Sequence, residues 1–171
     1  MSRPRPICIG VIADTHGLFD AAILRHFQHA DHIVHAGDIG KPTVIDQLKT
    51  IAPVTVVSGN VDGYEESGFQ SETMIELAGL RIAVRHILYA SGTLTAEGRA
   101  FLDRMRPDIC IFGHTHQPKS EWLGGTLLFN PGSAGPKRFT LPRMLGMITI
   151  GARLSARHVR LGDRVTSPSR F

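Results

Sequence analysis

Along the first third of the chain, short runs of consecutive apolar residues alternate with segments whose apolar positions recur at helical spacing, so buried strands and amphipathic helices are expected in turn. Ile7 to Ala13 reads as a strand, Phe19 to His29 as a helix with Ile23, Leu24 and Phe27 on one face, and His32 to Ala36 as a second strand. Pro42 to Ile51 reads as another helix, with Pro42 in the first turn, where its missing N–H matters least. Val44, Ile45, Leu48 and Ile51 supply its apolar stripe, and strand Val54 to Val57 follows. A β-α-β-α-β start is the pattern of a parallel sheet covered by helices.

Gly59 to Ser71 is polar and glycine-rich, which predicts a loop, and beyond it the rhythm changes. Glu72 to Ala78 and Arg81 to Arg85, joined at Gly79-Leu80, resemble a hairpin; Thr95 to Met105 reads as a helix and Asp108 to Phe112 as a strand. The last third, Glu121 to Leu123, Thr126 to Phe129, Met144 to Ile150 and Arg153 to Arg160, reads as all strand. Parallel strands first and antiparallel strands last predict an α/β protein of two packed sheets flanked by helices, within one domain spanning 1–171.

Composition narrows this picture. Apolar residues make up 42% and charged residues 20% of the 171 positions, a globular balance that excludes disorder and fibrous repeats. Cys8 and Cys110 lie far apart inside apolar runs, so neither a disulfide framework nor a thiolate metal site is expected, and a cytoplasmic location fits. No apolar run is long enough to span a membrane.

The net charge of +4 is uneven. From position 137 onward, Lys137, Arg138, Arg143, Arg153, Arg157, Arg160, Arg164 and Arg170 face a lone Asp163. Because Arg153, Ser155 and Arg157 alternate with Leu154 and Ala156, this basic stretch reads as the open face of an edge strand, where Arg and Lys deter pairing with other chains. It is not read as a surface for nucleic acid.

The chemistry gathers where the apolar runs end. Asp14 and His16, Asp38, Asn60, His86, and His114 with His116 each follow a predicted strand. In open α/β sheets, ligands bind at the carboxyl ends of strands, so loops distant in sequence converge there. Singly these residues are weak signals, since Gly-Asp and Gly-Asn are ordinary turns and a lone His is often a satisfied interior residue. Their order along consecutive strand ends carries the specificity.

That order resembles the calcineurin-like metallophosphoesterase superfamily, whose Asp-x-His, Gly-Asp, Gly-Asn, His and Gly-His-x-His pattern is present as Asp14-Thr15-His16, Gly37-Asp38, Gly59-Asn60, His86 and Gly113-His114-Thr115-His116. With Asn130-Pro131-Gly132-Ser133, the chain looks most like the small prokaryotic phosphodiesterases of that superfamily. The resemblance implies two mixed β-sheets packed face to face with helices outside, a four-layer α-β-β-α sandwich. It implies one metal held by Asp14, His16 and His116, a second held by Asn60, His86 and His114, and Asp38 bridging them. It further implies catalytic roles for Asp38, Asn60 and His86 in a dinuclear, metal-dependent phosphodiesterase. Imidazole, carboxylate and amide oxygen without thiolate suit two divalent transition-metal ions per chain, Mn2+ first, with Fe2+, Ni2+ or Zn2+ as alternatives. Such a pair of ions activates water as the nucleophile and stabilises the leaving oxygen.

Two positions depart from the family pattern. Val61 stands where many relatives carry a His that acts as general acid, which favours substrates with good leaving groups. Ile87 stands where a Gly usually follows the strand-end His, and its branched side chain is expected to occupy space beside the second metal. Asp62 and His35 are expected to support the ligands from behind, Asp62 by orienting a ligand His. The spacing of His26, His29, His32 and His35 crosses from helix into strand and cannot form one metal stripe; Trp122, Phe129 and Phe139 are assigned to core packing.

The expected partner is a small phosphodiester, with no membrane; assembly into a homo-oligomer stays open. The motif loops are expected to offer few cations beyond the metals, which favours a diester over a doubly charged monoester. The alternative is a catalytically weak or inactive protein-interaction scaffold, because the same fold serves as one in a retromer subunit whose metal site is degraded.

Overall fold

The computed structural model describes residues 5–63 and 67–166. In chain order the elements are β1 (Ile7–Ile12), α1 (Ala21–Phe27), β2 (His32–His35), α2 (Pro42–Lys49), β3 (Val54–Val56), β4 (Glu72–Leu77), β5 (Leu80–Arg85), β6 (Tyr89–Ala90) and β7 (Thr93–Leu94). There follow α3 (Ala96–Met105), β8 (Ile109–Ile111), β9 (Lys119–Leu123), β10 (Thr126–Asn130), β11 (Met144–Ile150) and β12 (Leu154–Arg160).

Two five-stranded sheets form, in the orders β12-β11-β1-β2-β3 and β4-β5-β8-β10-β9. Both are mixed. In the first, β1, β2 and β3 run parallel, with β11 antiparallel on the other side of β1. In the second, β5, β8 and β10 run parallel between antiparallel β4 and β9. The C-terminal strands therefore do not make a sheet of their own. β11 and β12 return to extend the N-terminal sheet, because β1 is apolar on both faces and cannot sit at an open edge.

Three apolar layers give the four-layer sandwich its thickness. Ile9, Val11 and Ala13 of the β1 segment, with Val34, Ile82, Val84, Ile109, Ile111 and Phe129, fill the space between the sheets. The alternate β1 position Ile12 faces outward, where Ile23 and Phe27 of α1 and Val44, Ile45 and Leu48 of α2 cover it. On the far side, Phe101 and Leu102 of α3 pack against Ala83, Cys110 and Leu128. Deleting a ring as buried as Phe101 costs about 3–5 kcal/mol.

Local differences from the sequence reading have local causes. Helix α1 starts two residues later than its periodicity suggests, because Asp20 accepts the Ala22 N–H (2.9 Å) and takes the cap. The β6–β7 hairpin is too short for any period to reveal, and turns through Ser91 and Gly92 at φ +50° and +77°. β12 is an edge strand, with Leu154 and Ala156 against the core and Ser155 and Arg157 outward, as its alternation predicts. Of the three aromatics assigned to the core only Phe129 is buried; Trp122 is 60% and Phe139 94% exposed, which corrects that assignment. No helix among the described residues is long and apolar enough to cross a membrane.

Candidate metal centre

Because β1, β2 and β3 are parallel to one another, as are β5 and β8, the residues following each strand emerge at one edge of the sandwich. All seven predicted ligands are there. Asp14, His16 and His116 form one cluster and Asp14, Asp38 and His86 another, with donor atoms within 4.8 Å of one another in each. Asn60 completes the second: its Oδ1 lies 3.1 Å from both His86 Nε2 and His114 Nδ1. Asp38 reaches both sides, with Oδ1 3.3 Å from His86 Nε2 and Oδ2 3.9 Å from His16 Nε2.

The local backbone is unusual in a way the sequence partly signals. Asp14 (φ +53°), His16 (+47°), Asp38 (+55°), His114 (+71°) and His116 (+58°) all occupy the left-handed region, which costs a side chain of order 1–3 kcal/mol each. Asp and His tolerate it better than most residues. Each turn folds a side chain sharply over its strand end and toward the centre. Two glycines allow the loops to close. A Cβ on Gly37, itself at φ +96°, would come within 2.7 Å of His86 Nδ1, and one on Gly59 would collide with the Asp38 carboxylate.

The arrangement of lone pairs fits a cation. His86 Nδ1 donates to the Ala36 carbonyl (2.7 Å), so in the neutral ring Nε2 carries a lone pair. That lone pair faces only acceptors, namely Asn60 Oδ1, Asp38 Oδ1 and, at 3.8 Å, Asp14 Oδ1. His16 Nε2 and His116 Nε2 point at each other across 3.4 Å. Asp14 Oδ1 is fully buried, has no hydrogen-bond partner among the described residues, and lies 3.3 Å from His116 Nε2. A buried carboxylate oxygen without a donor is costly unless a positive charge meets it. Oxygen and imidazole donors of this kind suit a divalent transition metal.

The electrostatics agree. Burial pulls His16 and His114 below the ordinary histidine range, Arg138 adding to the effect at His16 and His86 at His114, so both imidazoles are neutral and free to ligate. Burial also pulls on His86, but Asp38 and Asp14 outweigh it and raise that pKa. Burial pushes Asp38 up, yet His86, the Val61 N–H and His16 together hold it down to about 2.

The supporting residues act differently from expectation. Asp62, expected to orient a ligand His, instead accepts the backbone N–H groups of Ile39, Gly40 and Gly59, each at 2.9 Å, and so ties the Asp38 loop to the Asn60 loop. His35 does stand behind the site. Gly37 N–H donates to its Nδ1, so Nε2 donates to Thr15 Oγ1 (2.9 Å), whose own hydroxyl goes to the Ile39 carbonyl (3.0 Å). Burial pushes the His35 pKa down to about 4, so this link between two ligand loops stays neutral. His26 and His29 are exposed and His32 bonds Thr55, so the histidine spacing makes no further site.

Asn130 escaped the residue-by-residue reading. Fully buried at the end of β10, it donates from Nδ2 to the Gly113 carbonyl (2.9 Å) and to Thr115 Oγ1 (3.1 Å), which fixes the turn carrying His114 and His116. Its place at a sixth parallel strand end was the available signal. The loops also hold more positive charge than expected: the Lys41 stem lies over Gly17, next to His16, and Arg138 lines a small cavity with His116. Val61 gives Asp38 Oδ1 a backbone N–H (3.1 Å) while its side chain is 53% exposed. Ile87 belongs to none of the apolar clusters; with Ser58, Asn60, Ser71, Arg85 and His86 it walls a cleft beside the second ligand group.

These features define a metal-binding α-β-β-α sandwich, and the sequence matches the calcineurin-like phosphoesterase superfamily domain over residues 7–153. The chain belongs to that family. It is 32% identical over 169 residues to a probable metallophosphoesterase of Methanothermobacter thermautotrophicus, covering 95% of this chain and 98% of that protein. Among solved structures, an archaeal phosphodiesterase superposes with a TM-score of 0.72 at 20% identity, over 91% of this chain and 100% of the other. A single mutant of Vps29 from Entamoeba histolytica also gives 0.72, at 21% identity over the same shares. Identities this low speak for the shared fold alone.

Proposed function

We propose that this protein is a dinuclear metal-dependent phosphodiesterase. The observation that carries the reading is the buried, donorless Asp14 Oδ1, set between His116 and His86 where two ligand groups meet. Asp14, His16 and His116 would hold one ion and Asn60, His86 and His114 the other, with Asp38 offering one oxygen to each side. Divalent ions there, Mn2+ foremost, would activate water and polarise the phosphoryl oxygens.

The chain's own groups do the rest. The Ala36 carbonyl holds His86 with its lone pair inward, and the Asn60 amide can donate its N–H to a phosphate oxygen while its carbonyl faces the imidazoles. In the cleft beside the second group, Arg85 is paired with Glu72 (2.7 Å) and donates to the Ile87 carbonyl, so among the described lining residues no unpaired Lys or Arg is left for a second free anionic oxygen. An esterified oxygen fits better. With Val61 in place of an acid, the leaving group must depart as a stable anion or take its proton from water.

The scaffold alternative draws on the exposed Trp122 and Leu123 of edge strand β9 and on the likeness to Vps29. The full ligand set argues for catalysis. Elemental analysis after Mn2+ loading, followed by assays on phosphomonoesters, bis(p-nitrophenyl) phosphate, cyclic nucleotides and single-stranded DNA, tests the reading. About two ions per chain and faster diester turnover are expected. At most one ion at saturation overturns the dinuclear assignment, and full loading without turnover of any ester favours the scaffold.

A further inference from the structure

The segment joining β10 to β11 carries two side chains that the reading above leaves unused. Its ends are anchored. Ser133 Oγ donates to the Asp14 carbonyl (3.0 Å), and Gly135 lies so near the Asp14 and Thr15 carbonyls that a Cβ would collide with them. The buried Arg143 guanidinium donates to the carbonyls of Ala134, Gly135 and Gly162 and to the Asp20 carboxylate.

Between those anchors, residues 136–140 are exposed, and the Leu141 N–H closes a turn on the Arg138 carbonyl (3.1 Å). Lys137 is tied back to Asp163 (3.0 Å). Arg138 has no hydrogen bond or ion pair from its guanidinium among the described residues, and it shares a small cavity with the ligand His116. Phe139, at φ +52°, is 94% exposed, more than any other large apolar side chain described. An aromatic ring left in water on left-handed backbone adds nothing to this chain's core and carries a conformational cost. An unpaired guanidinium beside a phosphate site is suited to a phosphate oxygen, and an adjacent exposed ring to a planar group.

We propose that residues 136–142 form the substrate-recognition loop, in which Arg138 binds an oxygen of the phosphate and Phe139 covers a planar aromatic group attached to it. The substrate class is therefore aryl or nucleotide-type phosphoesters. This rests on the phosphoesterase reading of the metal centre and adds to it which esters are selected.

Calorimetric titration of the Mn2+-loaded protein with phenylphosphonate and methylphosphonate, which cannot be hydrolysed as esters, reads recognition without turnover. The parent protein should bind phenylphosphonate about fivefold more tightly. Phe139→Ala should abolish that preference, while Arg138→Gln weakens both ligands by about fivefold and keeps it. Both residues are exposed, so neither variant should lose thermal stability. Kinetics should follow the same pattern: Phe139→Ala raises KM for bis(p-nitrophenyl) phosphate and leaves kcat little changed. A preference that survives Phe139→Ala, affinities untouched by Arg138→Gln, or a change of oligomeric state in Phe139→Ala would each overturn the proposal. If neither phosphonate binds the loaded parent protein while bis(p-nitrophenyl) phosphate is still turned over, this proposal falls and the phosphoesterase reading stands. The expected binding pattern without hydrolysis of any ester upholds the loop and overturns only the enzymatic reading.

Discussion

The two candidate ligand groups use similar side chains but differ in how firmly the backbone presents them. Asp14, His16 and His116 all sit on left-handed turns, Asp14 and His116 are buried, and their loops are cross-linked through Ser133 and the Thr15–His35 hydrogen bond. In the other group His86 is buried and locked by the Ala36 carbonyl, but Asn60 is exposed and His114 only half-buried. Both departures from the family pattern, Val61 and Ile87, flank this second group. Pre-positioned donors lose less freedom when an ion arrives, so the first group should bind its ion more tightly.

Removing what the groups share should have the largest effect. Asp38→Asn takes away the charge lying between His16 and His86, and should reduce bound Mn2+ to at most one ion per chain and lower kcat/KM at least about 100-fold. Metal analysis beside kinetics checks it, and His114→Ala should lose less metal.

Next in size is the anchor behind the first group. Arg143 and Asp20 form a fully buried pair at 2.9 Å, so Arg143→Ala should destabilise the fold by about 3–5 kcal/mol, whereas Arg104→Ala, at the more exposed pair with Glu72, should cost below about 1 kcal/mol. The same pair predicts a pH response. Burial pushes Asp20 up, but its bonds to Thr166, the Ala22 N–H and Arg143 hold its pKa down to about 2, below the unfolded carboxylate value near 3.8. Its contribution is therefore complete above about pH 4 and is lost as pH falls toward 2, a loss of roughly 2 kcal/mol that denaturant melts across this range would read.

Smaller effects should sharpen the contrast between the groups. Val61→His supplies an acid at the second group's rim, and should raise alkyl diester turnover about tenfold while leaving p-nitrophenyl esters little changed. Equal gains on both would mean that protonating the leaving group is not what the site lacks. Smallest is Ile87→Gly: opening the cleft wall should strengthen the weaker ion or raise kcat/KM for a bulky diester several-fold, about 1 kcal/mol. Because Ile87 lies outside the apolar clusters and off left-handed backbone, the variant should melt within a few degrees of the parent. A large loss of stability with unchanged metal titration would show the residue to be structural.

Periodicity and residue type determined the order of the longer strands and helices, the apolar faces of α1 and α2, the edge character of β12, and the position of the seven metal-capable residues at strand ends, since each is a local pattern of apolar and polar positions. What no local pattern contains is pairing. That β11 joins β1, that Asp62 holds amides instead of an imidazole, that Asn130 braces the His114–His116 turn, and that Arg138 comes beside His116 all depend on segments far apart in sequence. Those meetings are decided by how both faces of each sheet are buried and where buried polar groups find partners. The sandwich as a whole satisfies these conditions, and no single segment can encode them.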